Sequence, residues 1–336
     1  MTAPVLADQT GAALQYVADL REISTPNPGI RQLRDPAAAA ELLKRELGYR
    51  LDAVFREHPG DPVILLSGGV DSIAVAAAAA DLGVRPHAIT ITTAGGTDAI
   101  HAAAAAEALG LTHEILDLDD QAVTDLAQES VARLGTSELW EISYAVPLLA
   151  AVHALDRRQS VGPILTGSAA DAILAGGKKL RSPIESANAV TELDSLIRRE
   201  SAANFRRERL VPDFYERIMP TYADQFVLLF QTVRFWQVAE TFAPEALFGD
   251  HNGVLADKLC LRLACEQLLP DSVKSLAWAQ KSAIQRSAGI MDTLALAARR
   301  YAAGLPGATT YTDPISEDAE AVATRLFLAL LDRKQS

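Results

Sequence analysis

Residues 62–72 read Pro-Val-Ile-Leu-Leu-Ser-Gly-Gly-Val-Asp-Ser, and this stretch decides the fold. The short apolar run 62–66 predicts a strand that is buried on both faces of a parallel sheet. An alanine-rich segment that ends near Gly83 predicts a helix, because alanine loses the least entropy there. The hexapeptide 67–72 therefore joins a strand to a helix. Unpaired backbone N–H groups and the helix dipole favour an anion at such a junction.

The residue types in this hexapeptide favour a phosphate ligand. Its glycines let the backbone approach an anion without side-chain interference, and its serine hydroxyls add donors. Asp71 is unfavourable beside an anion unless a cation bridges the two, which indicates Mg²⁺ on a polyphosphate. A lone Gly-Gly pair would favour a plain connecting turn, but the whole hexapeptide favours a ligand site. The residues predicted to bind it are Ser67, Gly68, Gly69, Val70, Asp71 and Ser72.

The rest of the chain divides by its pattern. Further strands are predicted at 87–92, 113–118 and 162–166, and helices between them indicate an α/β fold with a parallel sheet. From about Pro183 onward helical periodicity dominates, including the stretch 214–240. We predict three parts, an N-terminal extension (1–35), a nucleotide-binding α/β domain (36–182) and a mostly helical region (183–336).

Charge and composition exclude several classes of protein. The formal net charge of -12 disfavours binding to DNA or RNA, which requires a basic surface. No apolar run reaches the roughly 18 residues of a membrane span, and Met1 to Gln15 do not resemble a signal peptide. The only cysteines, Cys260 and Cys265, are predicted to be core residues, so a reducing cytoplasm is the expected compartment.

Three segments together resemble the asparagine synthase family of ATP pyrophosphatases, which cleave ATP between the α and β phosphates. The loop at 67–72 resembles that family's pyrophosphate (PP) loop. Residues 165–171, Leu-Thr-Gly-Ser-Ala-Ala-Asp, followed by Ala-Gly-Gly at 175–177, resemble its second signature. The stretch 258–290 resembles its C-terminal segment, with a Leu-Arg helix, Leu-Pro, and a lysine before a Gln-x-x-x-Gly pattern.

The resemblance implies ATP and Mg²⁺ as cofactors and assigns roles by position. Asp171 matches an aspartate that holds Mg²⁺ with the pyrophosphate, and Lys281 matches an essential lysine. The resemblance also implies that Tyr144 acts near the acyl group, although a helix-start aromatic is the simpler interpretation. The further ATP-binding positions that it implies are Thr166 and Gly167 beside the nucleotide and Leu66 and Ile91 against the adenine, and the last two would also suit a plain core.

The chain departs from the family pattern in two respects. Ser168 stands where the family has a glutamate that handles the nucleophile, which disfavours asparagine formation. A glutaminase domain would need about 200 residues ahead of the sheet, and Thr2 stands where its cysteine would be. We therefore expect the nitrogen to come from solution, from a separate glutaminase, or from an amine on a substrate or partner.

These observations predict a ligase that adenylates a carboxylate on a small molecule or peptide and forms a C–N bond with ammonia or an amine. Two alternatives remain open at this point. One is a sulfur-transfer or nucleotide-modifying enzyme with the same loop, which would use reactive cysteines. The other is a catalytically degenerate subunit that binds nucleotide. The sequence does not indicate an oligomeric state.

Overall fold

The computed structural model describes Tyr16 and residues 23–205, 210–279 and 284–333. Five parallel strands form its main sheet, in the order β3-β2-β1-β4-β5. The strands are β1 (Val63–Leu65), β2 (His87–Thr93), β3 (His113–Leu118), β4 (Ile164–Thr166) and β5 (Phe226–Val227). A separate antiparallel hairpin consists of β6 (Gly249–His251) and β7 (Val254–Ala256).

The strand order reverses between β1 and β4. From β1 the chain builds outward through β2 to β3 and then returns to add β4 on the other side of β1. Leu65 at the end of β1 pairs with Thr166 at the end of β4, so the loops after these two strands leave the sheet side by side. In open parallel sheets, ligands bind in the crevice at such a reversal.

Helices cover both faces of the sheet. One face packs mainly against α1 (Pro36–Glu57), α2 (Val70–Asp81), α3 (Asp98–Ala108), α6 (Ala170–Ile173), α7 (Ala187–Phe205), α9 (Val233–Ala239), α10 (Pro244–Leu247) and α11 (Leu259–Leu268). The other face packs against α4 (Asp120–Leu134), α5 (Leu139–Leu155), α8 (Phe214–Ile218) and the start of α13 (Ile290–Ala303). Two further helices are α12 (Ile284–Ser287) and α14 (Ala319–Arg333).

Strand β1 shows why its sequence is apolar throughout. Ile64 belongs to the core cluster on one face of the sheet, and Val63 and Leu65 belong to the cluster on the other face. Because successive side chains point to opposite faces, a strand covered on both sides needs apolar residues at every position. The α/β fold with a parallel sheet and a mostly helical C-terminal part is confirmed.

The predicted helical stretch 214–240 is wrong in its middle. The structure breaks it into α8, then β5, a 3-10 turn at Leu229–Gln231, and α9. Pro220 lies between α8 and β5 and lacks the N–H that a continuing helix would use. The run Phe226 to Phe230 is buried throughout, so it suits an edge strand between two layers. The sheet therefore extends beyond residues 36–182.

The N-terminal boundary of α1 agrees with its sequence signal. Pro36 occupies the first helical position, and the Asp35 carboxylate accepts a hydrogen bond from the Ala37 amide at 2.9 Å. An aspartate cap followed by proline is a preferred helix start. None of the helices in the described part of the chain is long and apolar enough to cross a membrane.

Candidate functional site

The loop between β1 and α2 has a backbone that only glycine allows. Gly68 has a φ of +71°, and a Cβ added there would lie 2.5 Å from the Asp98 carbonyl oxygen. Gly69 is the N-cap residue of α2 and has no side chain to cap the helix. The first amides of α2 have no acceptor within the helix. This geometry suits the strand-to-helix anion site that the sequence predicts, and binding of an anion there stays a prediction.

The two serines of the loop hold its shape. The Ser72 hydroxyl donates to the Gly69 carbonyl oxygen at 3.1 Å and accepts from the Ser67 amide, also at 3.1 Å. The two hydroxyl oxygens lie 3.1 Å apart. Ser72 is buried, so its hydroxyl stabilises the loop rather than pointing at a ligand. A role toward ATP for Ser67 and Ser72 stays a prediction.

Asp71 and Asp171, which are 100 residues apart in the chain, meet at one cationic atom. Lys258 Nζ lies 2.8 Å from Asp71 Oδ1, 3.0 Å from Asp71 Oδ2 and 2.6 Å from Asp171 Oδ1. Asp71 is in the first turn of α2, and Asp171 is in α6 after β4. The order of the strands therefore brings together the two carboxylates that the sequence predicts as metal ligands.

The lysine in this bridge is buried and charged. Its side chain is 7% exposed. Burial by itself lowers the pKa of the Lys258 ammonium, but the charges of Asp71 and Asp171 outweigh burial and raise that pKa. Lys258 begins the third segment of the family resemblance, which assigns it no role. The available signal is a lysine directly before the apolar run 259–261.

Two glycines give the aspartates room. A Cβ on Gly167 would lie 2.5 Å from the Ser72 amide nitrogen and 2.7 Å from the Asp71 carbonyl carbon. A Cβ on Gly176 would lie 1.8 Å from Asp171 Oδ1. Gly167 thus lets the loop after β4 contact the PP loop, and Gly176 leaves space for the Asp171 carboxylate.

Asp257 fixes the turn that presents Lys258. Its carboxylate accepts from the Gly177 amide and from the Arg262 guanidinium, the latter at 2.9 Å. Arg262 also donates to the Asp257 carbonyl oxygen at 2.9 Å. Burial opposes ionisation of Asp257, but these donors and Lys258 outweigh it and hold the pKa of Asp257 below its ordinary value.

Backbone strain is concentrated at this site. Among the described residues, positive φ at non-glycine positions occurs at Ala169 (78°), Ala175 (54°), Asn252 (55°) and Lys258 (48°). Ala169 and Ala175 flank α6, which contains Asp171, and Lys258 is itself one of the four. Such conformations cost on the order of 1–3 kcal/mol each and are often found at functional sites.

A chain of hydroxyl groups extends from the same edge of the sheet. Thr166 Oγ1 lies 3.0 Å from Ser168 Oγ, which is 3.3 Å from the Tyr144 hydroxyl. The Tyr144 hydroxyl is in turn 3.2 Å from that of Tyr215. Tyr144 therefore lies beside the position where Ser168 replaces the family glutamate. Tyr215, from the short α8, was not identified from sequence because no motif includes it.

The remaining predicted residues lie in the core or outside the described ranges. Leu66 and Ile91 are 1% and 3% exposed and belong to different core clusters, so the structure favours a core role for both. Their contact with adenine stays a prediction. Val70 is likewise buried at the start of α2. Lys281 lies outside the described residues, and its catalytic role also stays a prediction.

The donor set at Asp71 and Asp171 fits Mg²⁺. Mg²⁺ commonly uses one or two carboxylates together with water and substrate phosphates, rather than a complete protein cage. Two carboxylates already surround one cation here, while the described residues contain no group of three or more His, Cys, Asp or Glu able to hold a metal. The residues present would therefore hold a metal that arrives with phosphate ligands.

Comparison with known proteins gives a family match that includes Asp71 and Asp171 but not Lys258. Residues 61–223 match the family model described as asparagine synthase. A solved NMN synthetase from Francisella tularensis is 16% identical, with 65% of this chain and 99% of that chain covered and a TM-score of 0.29. A likeness of that degree says nothing of this chain's substrate. No curated protein matches the chain.

Proposed function

We propose that the chain, in which residues 61–223 match the asparagine synthase family model, is an ATP-dependent ligase that activates a carboxylate as an acyl-adenylate. The acyl group then passes to ammonia or an amine, and a C–N bond forms. The observation that carries this proposal is the convergence of Asp71 and Asp171 on one cationic atom beside the PP loop. A turn that only bound phosphate would not need two carboxylates, from distant parts of the sequence, beside it.

In the first step, a carboxylate oxygen of the substrate attacks the α-phosphorus of ATP. The bond from that phosphorus to the bridging oxygen breaks, and pyrophosphate leaves with the electron pair. The first amides of α2, which have no acceptor within the helix, would donate to the departing oxygens, and the buried Lys258 ammonium would add a positive charge nearby. A Mg²⁺ ion held by Asp71 and Asp171 would neutralise charge on the pyrophosphate.

In the second step, the amine nitrogen attacks the acyl carbon, and AMP leaves with the electrons of the acyl–oxygen bond. The proton that the nitrogen loses passes to solvent. The proposed role of Lys281 is to stabilise the negative charge of the tetrahedral intermediate. Preorganised donors of this kind contribute strongly because they do not reorganise during the reaction.

The acyl and amine substrates would lie next to the hydroxyl chain of Thr166, Ser168, Tyr144 and Tyr215. A serine at position 168 binds through a neutral hydroxyl, whereas the family glutamate carries a charge. We therefore propose a nucleophile that reaches the site already as a neutral amine or ammonia, because Ser168 is not a carboxylate base.

The sulfur-transfer alternative is disfavoured by the two cysteines. Cys260 and Cys265 are both 0% exposed within α11. Burial raises the pKa of each thiol, which suppresses the reactive thiolate. Sulfur transfer would require an exposed thiol of ordinary or lowered pKa.

The test is a screen for substrate-dependent release of AMP and pyrophosphate, with glutamine, ammonia and candidate amines supplied separately. The Lys281→Ala variant should lose about 10²- to 10³-fold in the rate of C–N bond formation. The control Lys274→Ala removes an exposed lysine paired only locally with Asp271 and should retain full activity. Release of ADP and phosphate instead of AMP and pyrophosphate would overturn the proposed reaction.

A further inference from the structure

The Lys258 ammonium lies at the point that a metal ion shared by Asp71 and Asp171 would occupy. An ammonium has three N–H donors, and three carboxylate oxygens lie within 3.0 Å of this one. Mg²⁺ binds carboxylate oxygens at about 2.0–2.1 Å, so an ion bound to both carboxylates in this arrangement would overlap the ammonium. The two cations therefore exclude each other.

Lys258 has no easy route into solvent. Its side chain is 7% exposed, and its backbone adopts a left-handed conformation at the N-cap of α11. The preceding residue is tied to Arg262 through both its carboxylate and its carbonyl oxygen. Moving the ammonium away from the aspartates would leave a buried charge unpaired, which is strongly unfavourable.

A bound polyphosphate removes this penalty. Its oxygens can accept hydrogen bonds from the Lys258 ammonium and can also coordinate the metal. The pair of carboxylates is open on one side, because the Asp171 side chain is 62% exposed whereas that of Asp71 is 21% exposed. A nucleotide at the PP loop would reach this open side from the start of α2.

We propose that Lys258 is an internal counter-cation that keeps free divalent metal out of the Asp71–Asp171 pair until nucleotide is bound. Metal then enters only together with a polyphosphate, which supplies new acceptors for the displaced ammonium. This inference rests on the proposed function for the identity of the nucleotide. The exclusion of free metal depends on the three side chains alone.

The competing interpretation is that Lys258 only stabilises the fold, by holding the loops that carry the two aspartates together. The two interpretations predict different metal affinities once its charge is removed. If Lys258 excludes metal, a neutral side chain leaves two adjacent carboxylates that attract a divalent ion. If Lys258 only stabilises the fold, loss of its charge lets the two loops separate, and the affinity for metal stays as low as in wild type.

The experiment is a titration of Mn²⁺ into the full chain without nucleotide, monitored by the loss of the free-ion signal in electron paramagnetic resonance. It compares wild type with Lys258→Met, which keeps the length of the side chain and removes the charge. Lys274→Met is the matched control, because Lys274 is an exposed lysine away from the aspartate pair. A parallel set contains α,β-methylene-ATP, which cannot be cleaved between the α and β phosphates.

We expect Lys258→Met to bind Mn²⁺ without nucleotide at least about tenfold more tightly than wild type, a difference of about 1.4 kcal/mol. Wild type and Lys274→Met should take up Mn²⁺ at this site only with α,β-methylene-ATP. Equal nucleotide-free affinity in wild type and Lys258→Met would overturn the proposal. Should Lys258→Met fail to fold by circular dichroism, Lys258→Gln replaces it.

If neither Lys258→Met nor Lys258→Gln folds, the Mn²⁺ titration of wild type with and without the nucleotide analogue tests the proposal. Nucleotide-free binding of Mn²⁺ as tight as binding with α,β-methylene-ATP would overturn the proposal, and binding that needs the nucleotide supports it. Failure of the proposed function has a different signature. In that case α,β-methylene-ATP binds neither protein, while the gain in Mn²⁺ affinity in Lys258→Met still appears.

Discussion

Gly176 shows how the lack of a side chain at one position leaves room for the carboxylate of Asp171. An added Cβ would lie 1.8 Å from Asp171 Oδ1 and 3.0 Å from Asp171 Cα. The side-chain oxygen is the more mobile of these two neighbours, so Gly176→Ala should rotate the Asp171 carboxylate away and leave the fold in place. We expect Mg²⁺-dependent binding of α,β-methylene-ATP to weaken at least about tenfold, as measured by titration calorimetry.

The control for that substitution is Gly95→Ala. Gly95 lies in the loop after β2, and a Cβ there would have no atom within 4 Å. Nucleotide affinity should be unchanged in this variant. A Gly176→Ala protein that binds the analogue as wild type does would show that the position of Asp171 is not needed for binding.

The pH dependence of stability should report on Asp257. Its pKa is lowered in the folded chain, so its ionised form stabilises the fold at pH values above the unfolded pKa of about 3.9. That contribution is lost as pH falls through the folded pKa. Asp257→Asn should lower the free energy of unfolding by about 1–3 kcal/mol at pH 7.

The difference between Asp257→Asn and wild type should shrink as the pH is lowered below about 4, because the wild-type carboxyl then becomes protonated as well. Urea unfolding at a series of pH values measures this. A difference that stays constant down to about pH 3 would exclude ionised Asp257 as the stabilising group.

At the residue scale, sequence could identify the aspartates but not their shared partner. Asp71 and Asp171 stand in recognisable motifs, each beside glycines. Lys258 has no such motif around it. A lysine is ordinarily a surface residue, and the burial of Lys258 depends on two loops that are distant in sequence. Tyr215 contacts Tyr144 only through the packing of α8 on α5, which no local pattern encodes.

At the scale of elements, strands β1 to β4 could be predicted because each combines a short apolar run with a turn and a helix after it. Strand β5 could not. Its residues Phe226 and Val227 lie in an apolar stretch whose spacing also suits a helix. A strand of two residues is too short for periodicity to distinguish it from a helix. Tertiary pairing with β4 makes it a strand.

A buried ion network joins the segment before α1 to two helices of the C-terminal part. The Asp194 carboxylate in α7 accepts from Arg31 and Arg198, each at 3.0 Å, and Arg198 also donates to Glu240 at 3.1 Å. The side chains of Arg31 and Asp194 are 0% and 1% exposed. Asp194→Ala would leave two buried guanidinium groups short of an acceptor and should destabilise the fold by about 3–5 kcal/mol.

The matched control is Asp213→Ala. Asp213 pairs with Arg217 at 2.8 Å, four residues away on the surface, with 51% of its side chain exposed. Exposed pairs contribute about 0–1 kcal/mol, so this variant should unfold at nearly the wild-type denaturant concentration. Equal effects of the two substitutions would show that burial of the Asp194 network adds nothing to stability.

At the scale of the whole molecule, the reversal of strand order between β1 and β4 positions the site. It places the PP loop next to the loop after β4, and α11 returns from the C-terminal part to add Lys258 between them. Alternating strands and helices in the sequence indicate a parallel sheet. The order of its strands, and therefore the meeting of three side chains, depends on long-range packing.

In the proposed function, Asp71 and Asp171 act together on a metal-bound polyphosphate. The most direct test is titration calorimetry of α,β-methylene-ATP with and without Mg²⁺, using wild type, Asp71→Asn and Asp171→Asn. We expect wild type to bind the analogue in a Mg²⁺-dependent manner, and each variant to lose at least about tenfold in affinity, or about 1.4 kcal/mol. Binding that is independent of Mg²⁺, or equal in all three proteins, would contradict a metal site shared by the two aspartates.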